Sequence, residues 1–187
     1  RALDLASGSA VFNEGGGDVD FRVESNGNAN MLFVDGGTNN VGIGLVPTSF
    51  SSRTSLDIGL GGKLWALTTA TETGLGNNFY FDGAYKRLTT NSASRHIQDG
   101  NGHTLSVAAS GAANSTITWI DALIIDSSGA ATFSGDIILP STGKLYSSGD
   151  TDSFLQFNQA NTLRAIIGDS TRMIIEPNTT VFNEDSA

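Results

Sequence analysis

The stretch DVDFRVESNGNANMLFVDGGTNNVGIG, residues 18–44, alternates short apolar runs with turn sequences. Apolar and polar residues alternate in VDFRV (19–23), and Leu32 and Val34 lie two positions apart, as in half-buried strands. The segment DGGTNN (35–40) that follows is rich in residues that tolerate left-handed backbone or form side-chain turns. The stretch therefore predicts short strands, each offering two or three apolar side chains on one face.

The same strand and turn pattern continues along the chain. Turn clusters recur as DGNG (99–102), DSSGA (126–130) and PSTG (140–143), while helical periodicity is nearly absent. A strand–turn spacing of roughly ten residues predicts an all-β fold. Besides 19–23, 31–34 and 104–107, strands are predicted near 56–58, 63–68, 79–81, 94–98, 115–125, 131–139, 144–146, 153–157, 163–167, 172–175 and 180–182.

The composition indicates a thin core. The 187 residues include 23 Gly and no Cys, and only 39% are hydrophobic. Ordering one residue costs roughly 1.5 kcal/mol, which requires on the order of 60 Å² of apolar burial. Segments such as SNGNAN (25–30) cannot supply that area. The loops must therefore be held by neighbouring strands, or the chain must share its core with other copies.

The charge pattern excludes several classes of partner. The net charge is −9 and no cluster of Lys or Arg occurs, so nucleic-acid binding is not expected. No apolar run is long enough to cross a bilayer, and the first ten residues lack the apolar centre of a signal peptide. We therefore expect a soluble chain without membrane insertion.

Prolines and one repeated phrase suggest modules. Pro47, Pro140 and Pro177 lie between strand-rich blocks, and Val-Phe-Asn-Glu begins at both Val11 and Val181. The recurrence indicates a piece of a longer repetitive protein. The predicted modules are 1–47, 48–126, 127–178 and 179–187, the last being the start of a further repeat.

Three stretches resemble modules of bacteriophage tail fibres and related virion appendage proteins, especially those of phages from aquatic environments. They are residues 18–44, quoted above, NNFYFDGAYKRLTTNSASRHIQDGNGHTLSVAASGAANSTITWIDALIIDSSGAATFSGD (77–136) and SFLQFNQANTLRAIIGDSTRMIIEPN (153–178). The resemblance implies a repetitive, elongated homotrimer of β-strands in the virion, outside the cell, whose distal end recognises the host surface. Three chains at −9 each would carry −27, which favours solubility.

The resemblance also implies a function and partners. We expect a structural shaft segment that projects a host-recognition tip and contacts other tail or baseplate proteins. The alternatives are a module that itself binds a host glycan or outer-membrane receptor, and a non-viral extracellular surface filament. No cofactor is expected.

The aromatic phrase FYFDGAY (79–85) carries the candidate glycan contacts. Exposed aromatic rings can stack on sugars, although aromatic residues on strands more often pack in a core. The candidates are Trp65, Tyr80 and Tyr85, while Trp119 is a further aromatic residue of the same kind.

No pattern of catalytic residues stands out, so no enzyme activity is expected. Acidic residues are scattered, and no spacing singles out a pair for glycan cleavage. The glycine phrase GLGGK (59–63) precedes Leu64 rather than Ser or Thr, which indicates a strand connection and not a phosphate loop. The acidic residues considered are Glu24, Asp35, Glu72, Asp82 and Asp121.

Metal ligation is likewise not expected from spacing. His96 and His103 flank Asp99 and Asn101, but zinc sites usually show tighter pairs and further ligands, so a hairpin turn is the preferred interpretation. Asp150, Asp152 and DGNG do not fit a calcium loop. Asn114 and Asn178 begin glycosylation-type triplets that we interpret as turns.

Overall fold

A computed structural model describes residues 3–6, 9–13, 15–140, 143–146, 149, 152–159, 162–168, 170–176 and 178–182. These residues form strands, turns and irregular loops, with no helix in any of the described ranges. The chain divides into two compact units, Arg1–Gly135 and Asp136–Ala187. The all-β expectation is confirmed.

The described residues of the first unit form fourteen strands. They are β1 (Leu3–Ala6), β2 (Ser9–Phe12), β3 (Phe21–Val23), β4 (Leu32–Asp35), β5 (Asn40–Ile43), β6 (Arg53–Ile58), β7 (Gly62–Leu67), β8 (Glu72–Asn77), β9 (Phe79–Phe81), β10 (Tyr85–Arg87), β11 (Asn91–Asp99), β12 (Gly102–Gly111), β13 (Ile120–Asp126) and β14 (Ala131–Phe133).

Ten of these strands form one sheet, in the order β14-β13-β12-β11-β8-β7-β6-β5-β4-β3. Every neighbouring pair is antiparallel except β5 and β6, which run parallel. That exception arises because the loop 44–52 returns the chain to the start of β6. Two separate hairpins, β1–β2 and β9–β10, complete the unit.

A short second layer covers the middle of the sheet on one face, here called the covered face. Two backbone hydrogen bonds connect the β9–β10 hairpin to neighbouring segments. Ser51 N–H donates to the Phe81 carbonyl, and Ile117 N–H donates to the Tyr85 carbonyl. Beneath it lies a buried cluster in which aromatic rings meet edge to face at centroid distances of 5.3 to 6.1 Å. The buried members are Phe50, Trp65, Phe79, Ala93, Ala108 and Ile117.

Two glycines of β8 make room for this cluster. A Cβ at Gly74 would lie 2.0 Å from Trp65 Cζ2, and a Cβ at Gly76 would lie 2.2 Å from Phe79 Cε1. Neither distance is compatible with van der Waals contact, so β8 can pass beneath the two rings only because it lacks side chains there.

In the parts of the second unit that the structure describes, five strands form an antiparallel meander and follow chain order across the sheet. Its strands are β15 (Lys144–Tyr146), β16 (Phe154–Gln159), β17 (Thr162–Ile167), β18 (Ser170–Glu176) and β19 (Thr179–Phe182). The two copies of Val-Phe thus end comparable strands, β2 and β19.

Most predicted strands are present, but two were placed too broadly. The prediction of 115–125 as a strand is wrong for its first half, because β13 begins at Ile120 and Ile117 instead packs into the core. Likewise only 131–133 of the predicted strand 131–139 is extended and paired. The strands β1, β2, β5, β8 and β10 were not predicted.

The ten-stranded sheet continues across residues 47 and 126, and Pro177 lies outside the described residues. The module limits near 47, 126 and 178 stay predictions about sequence repeats.

We expect the Gly74→Ala substitution to destabilise the protein by about 1–3 kcal/mol, because the added methyl displaces the Trp65 ring. Urea unfolding followed by tryptophan fluorescence measures the change in unfolding free energy. The matched control is Gly27→Ala, since a Cβ at Gly27 meets nothing within 4 Å. Equal stability of the two variants would contradict the packing described here.

Candidate functional site: an open apolar sheet face

The face of the ten-stranded sheet opposite the covered face, here called the open face, carries one row of directly paired residues that crosses every strand. Directly opposite residues in a sheet point to the same side, so the register alone places these side chains together. From β3 to β14 the row is Phe21, Val34, Val41, Leu56, Leu64, Leu75, His96, Leu105, Leu123 and Phe133. Nine of its ten members are apolar.

This row remains in contact with solvent. Leu75 is 55% exposed, Phe133 49% and Leu105 41%. Leu75 and Leu105 lie on strands that are paired on both sides, and Phe133 lies on the edge strand β14. A second apolar row begins beside it with Val23, Leu32, Ile43 and Ile58, which are also directly paired. Single exposed apolar residues are ordinary, whereas a contiguous patch marks an interaction surface.

The open face is large enough to contribute to an interface. Ten strands spaced about 4.8 Å apart span about 48 Å, and each row of same-face residues covers about 7 Å along the strands. The ten-strand row and the four-strand second row together therefore measure on the order of 470 Å², more than half of the roughly 800 Å² that each partner contributes to a typical stable interface.

A charged pair is buried on the covered face. Lys63 and Asp57 sit directly opposite each other on β7 and β6, and their side chains are 1% and 3% exposed. The Lys63 ammonium donates to Asp57 and Thr48, while Ser55 Oγ also donates to Asp57. Burial lowers the pKa of Lys63, and the hydrogen bond and charge of Asp57 oppose that shift.

The second unit, taken by itself, repeats the arrangement. One row of directly paired residues crosses all five of its strands: Leu145, Leu155, Ala165, Met173 and Phe182. Leu145 is 47% exposed and Phe182 71%. Each unit therefore presents an apolar row from one sheet edge to the other.

The candidate glycan contacts occupy different environments. Trp65 is 1% exposed inside the core, and its Nε1–H donates to Glu72, so its ring offers no face to a sugar. Tyr85 packs edge to face on Phe79 and Trp119. Tyr80 and Tyr85 are both half-buried, and the Tyr80 hydroxyl lies 3.1 Å from Asn114 Oδ1.

Two arginine side chains contact the rings of the aromatic cluster. The Arg53 guanidinium lies 4.8 Å from the Phe81 ring centroid, and the Arg95 guanidinium lies 4.4 Å from that of Trp119. Both also approach Tyr85. Tyr85 therefore serves the packing of the second layer, as cation–π and edge contacts hold it on both sides.

The acidic residues considered for catalysis are separately engaged. Glu72 accepts from Trp65 and Arg53, Asp82 accepts from Lys86, and Asp121 accepts from Ser106. Glu24 pairs with Arg22, and Asp35 accepts the N–H groups of Gly37 and Thr38. These contacts bring none of the five into a pair with another of the five.

The DGNG segment forms the tight turn between β11 and β12, as predicted, with Asn101 N–H donating to Asp99. The turn also brings the two histidines together: His96 Nε2 lies 3.2 Å from His103 Nδ1. GLGGK connects β6 to β7, which confirms the strand connection. Asp150 lies outside the described residues.

One acidic group was missed from sequence. One carboxylate oxygen each from Asp18, Asp20 and Asp35 lies within 4.8 Å of the others. Backbone amides already donate to two of them, since Gly36 N–H reaches Asp20 and Gly37 N–H reaches Asp35. Residues 17 apart in sequence meet there only because β3 and β4 pair.

Among solved structures, the chain is similar to Geobacillus virus E2 ORF18 at 16% identity, over 62% of this chain and 26% of that one, with a TM-score of 0.39. The chain thus spans about a quarter of that protein's length. No family model matches the sequence, and no curated protein matches it.

In the described part of the chain, no helix has the length and apolar character needed to span a membrane.

We expect Asp57→Ala to destabilise the protein by about 3–5 kcal/mol, because it leaves the Lys63 ammonium buried without its counter-ion. Replacing both partners, with Asp57→Leu and Lys63→Met together, should recover most of that loss. Urea unfolding of the two variants measures the difference. A double variant no more stable than Asp57→Ala would show that the pair is not the source of the cost.

Proposed function

We propose that this chain is a structural segment of a phage tail fibre or a related virion appendage, and that it assembles as a homotrimer through its open face. The observation that carries the proposal is the apolar row, which crosses ten strands with His96 as its one polar member and remains exposed in a single chain. Its task is mechanical: a hydrogen-bonded β-structure that projects a host-recognition tip and joins other tail or baseplate proteins.

Copies of the same chain are the partners that fit this surface best. The apolar strip runs from one edge of the sheet to the other, so its partner needs an apolar surface of about the same width. A second and third copy each supply one, and three copies around an axis can bury three such faces against one another. Trimerisation also accords with the resemblance of residues 18–44, 77–136 and 153–178 to fibre modules.

A core shared between copies also accounts for the low hydrophobic content of the chain. Exposed apolar side chains on the open face lose contact with water only when copies meet, and that burial is the main favourable term in association. The second unit has its own apolar row, which extends the same mode of assembly to residues 136–187. The proposed location is the virion, outside the cell, without a cofactor.

The second candidate function is direct binding of a host glycan, and a non-viral extracellular filament built on the same assembly is the remaining alternative. Tyr80 favours the glycan candidate, because its ring is only half-buried and its hydroxyl is already held by Asn114. A rigid, oriented aromatic ring is suited to stacking on a sugar.

We expect light scattering of the purified chain to give a mass near 58 kDa, three times 19.4 kDa. Leu64→Glu should shift the protein to the monomer mass, because it places a charge in the middle of the open face. Thr118→Glu is the matched control, since Thr118 is exposed in the segment on the covered side. A monomeric wild-type chain would contradict the proposal, as would a Leu64→Glu variant that remains fully trimeric.

A glycan array distinguishes direct glycan binding from a purely structural role. If the chain binds a glycan directly, Tyr80→Ala should abolish the signal while the far-ultraviolet circular dichroism stays unchanged. Tyr85→Phe controls for packing, because it keeps the ring against Phe79 and Trp119. Absence of any glycan signal from the assembled wild type would contradict glycan binding and retain the structural shaft segment as the proposed function.

A further inference from the structure

The apolar row of the open face is interrupted by one polar residue, His96, and the turn at 99–102 places a second histidine beside it. His96 Nε2 and His103 Nδ1 are 3.2 Å apart, and the rings stack with an interplanar angle of 23°. The two residues lie diagonally across the antiparallel strands β11 and β12, a position from which long side chains on one face can meet.

The spacing of these two nitrogens suits a metal ion. Two imidazole nitrogens bound to one tetrahedral Zn²⁺, each at about 2.0–2.1 Å, lie about 3.3–3.4 Å apart. The observed separation of 3.2 Å requires only a small rotation of the rings to reach that geometry. Neutral imidazole is the ligand that Zn²⁺, Cu²⁺ and Ni²⁺ prefer among nitrogen donors.

The surroundings keep the pair available for ligation. His96 is directly opposite Leu75 and Leu105, and His103 is directly opposite Gln98 and Ile125. No charged side chain occupies any of these four positions, and His103 is itself exposed while His96 is half-buried.

We propose that His96 and His103 form a binding site for a divalent transition-metal ion on the open face. On binding, the proton shared between the facing nitrogens moves to the outer nitrogen of its own ring, so that both facing nitrogens donate a lone pair. Water completes the coordination. The site rests on the geometry of one chain and does not require the proposed trimer.

Isothermal titration of the tag-free full chain with Zn²⁺ at pH 7.5 tests the site. We expect His96→Ala and His103→Ala each to weaken binding by on the order of tenfold or more. Ca²⁺, which prefers oxygen ligands, should not compete.

Two controls separate this site from other sources of binding. Asp35→Asn removes part of the acidic group formed with Asp18 and Asp20 and should leave Zn²⁺ binding unchanged. Leu64→Glu, which is designed to prevent assembly, lies two strands away from the histidines and should still bind Zn²⁺. Loss of Zn²⁺ binding in Asp35→Asn, with no change in the histidine variants, would place the ion elsewhere and overturn the proposal.

The proposal is also wrong if wild type and Leu64→Glu both bind Zn²⁺ no more tightly than the double variant His96→Ala, His103→Ala. Because Leu64→Glu is tested beside wild type, failure of the metal site and failure of the trimer are seen in separate measurements: heat of binding for one and molecular mass for the other.

Discussion

The passage of β8 beneath two aromatic rings is the constraint on which the first unit depends. Gly74 and Gly76 leave the space that Trp65 and Phe79 fill, and those rings in turn hold the β9–β10 hairpin against the sheet. The second layer is small because it consists of this hairpin and the segments beside it. Ten strands are thus organised around a core that buries only a few large side chains on one face.

The same arrangement decides which face is left open. Between the two glycines, Leu75 points away from the aromatic cluster. Leu64 on the adjacent strand β7 and Leu105 two strands away on β12 are likewise among the exposed apolar residues. Meanwhile Lys63 and Asp57 occupy covered positions, where their mutual hydrogen bond offsets the cost of desolvation. From the solvent-exposed leucines and the buried charged pair we infer that other chains complete the packing of this sheet.

The sequence predicted the strands in which apolar and polar residues alternate, and it did not predict the strands that lack this alternation. ETGLGN gives no apolar alternation, so β8 was not predicted, although its glycines are necessary for packing. Conversely, the apolar residues of 115–119 suggested a strand, whereas Ile117 belongs to a covering segment. The aromatic candidates show the same limit, because whether Trp65 or Tyr80 is accessible depends on what packs above each ring.

The sequence by itself determined the all-β class and the turns at DGNG and GLGGK, because these follow from local alternation and turn chemistry. Only the tertiary structure decided that Leu64, Leu75 and Leu105 form one row and that His96 meets His103. The physical reason is strand register: each strand contributes one residue to the row, and pairing between strands distant in sequence aligns them.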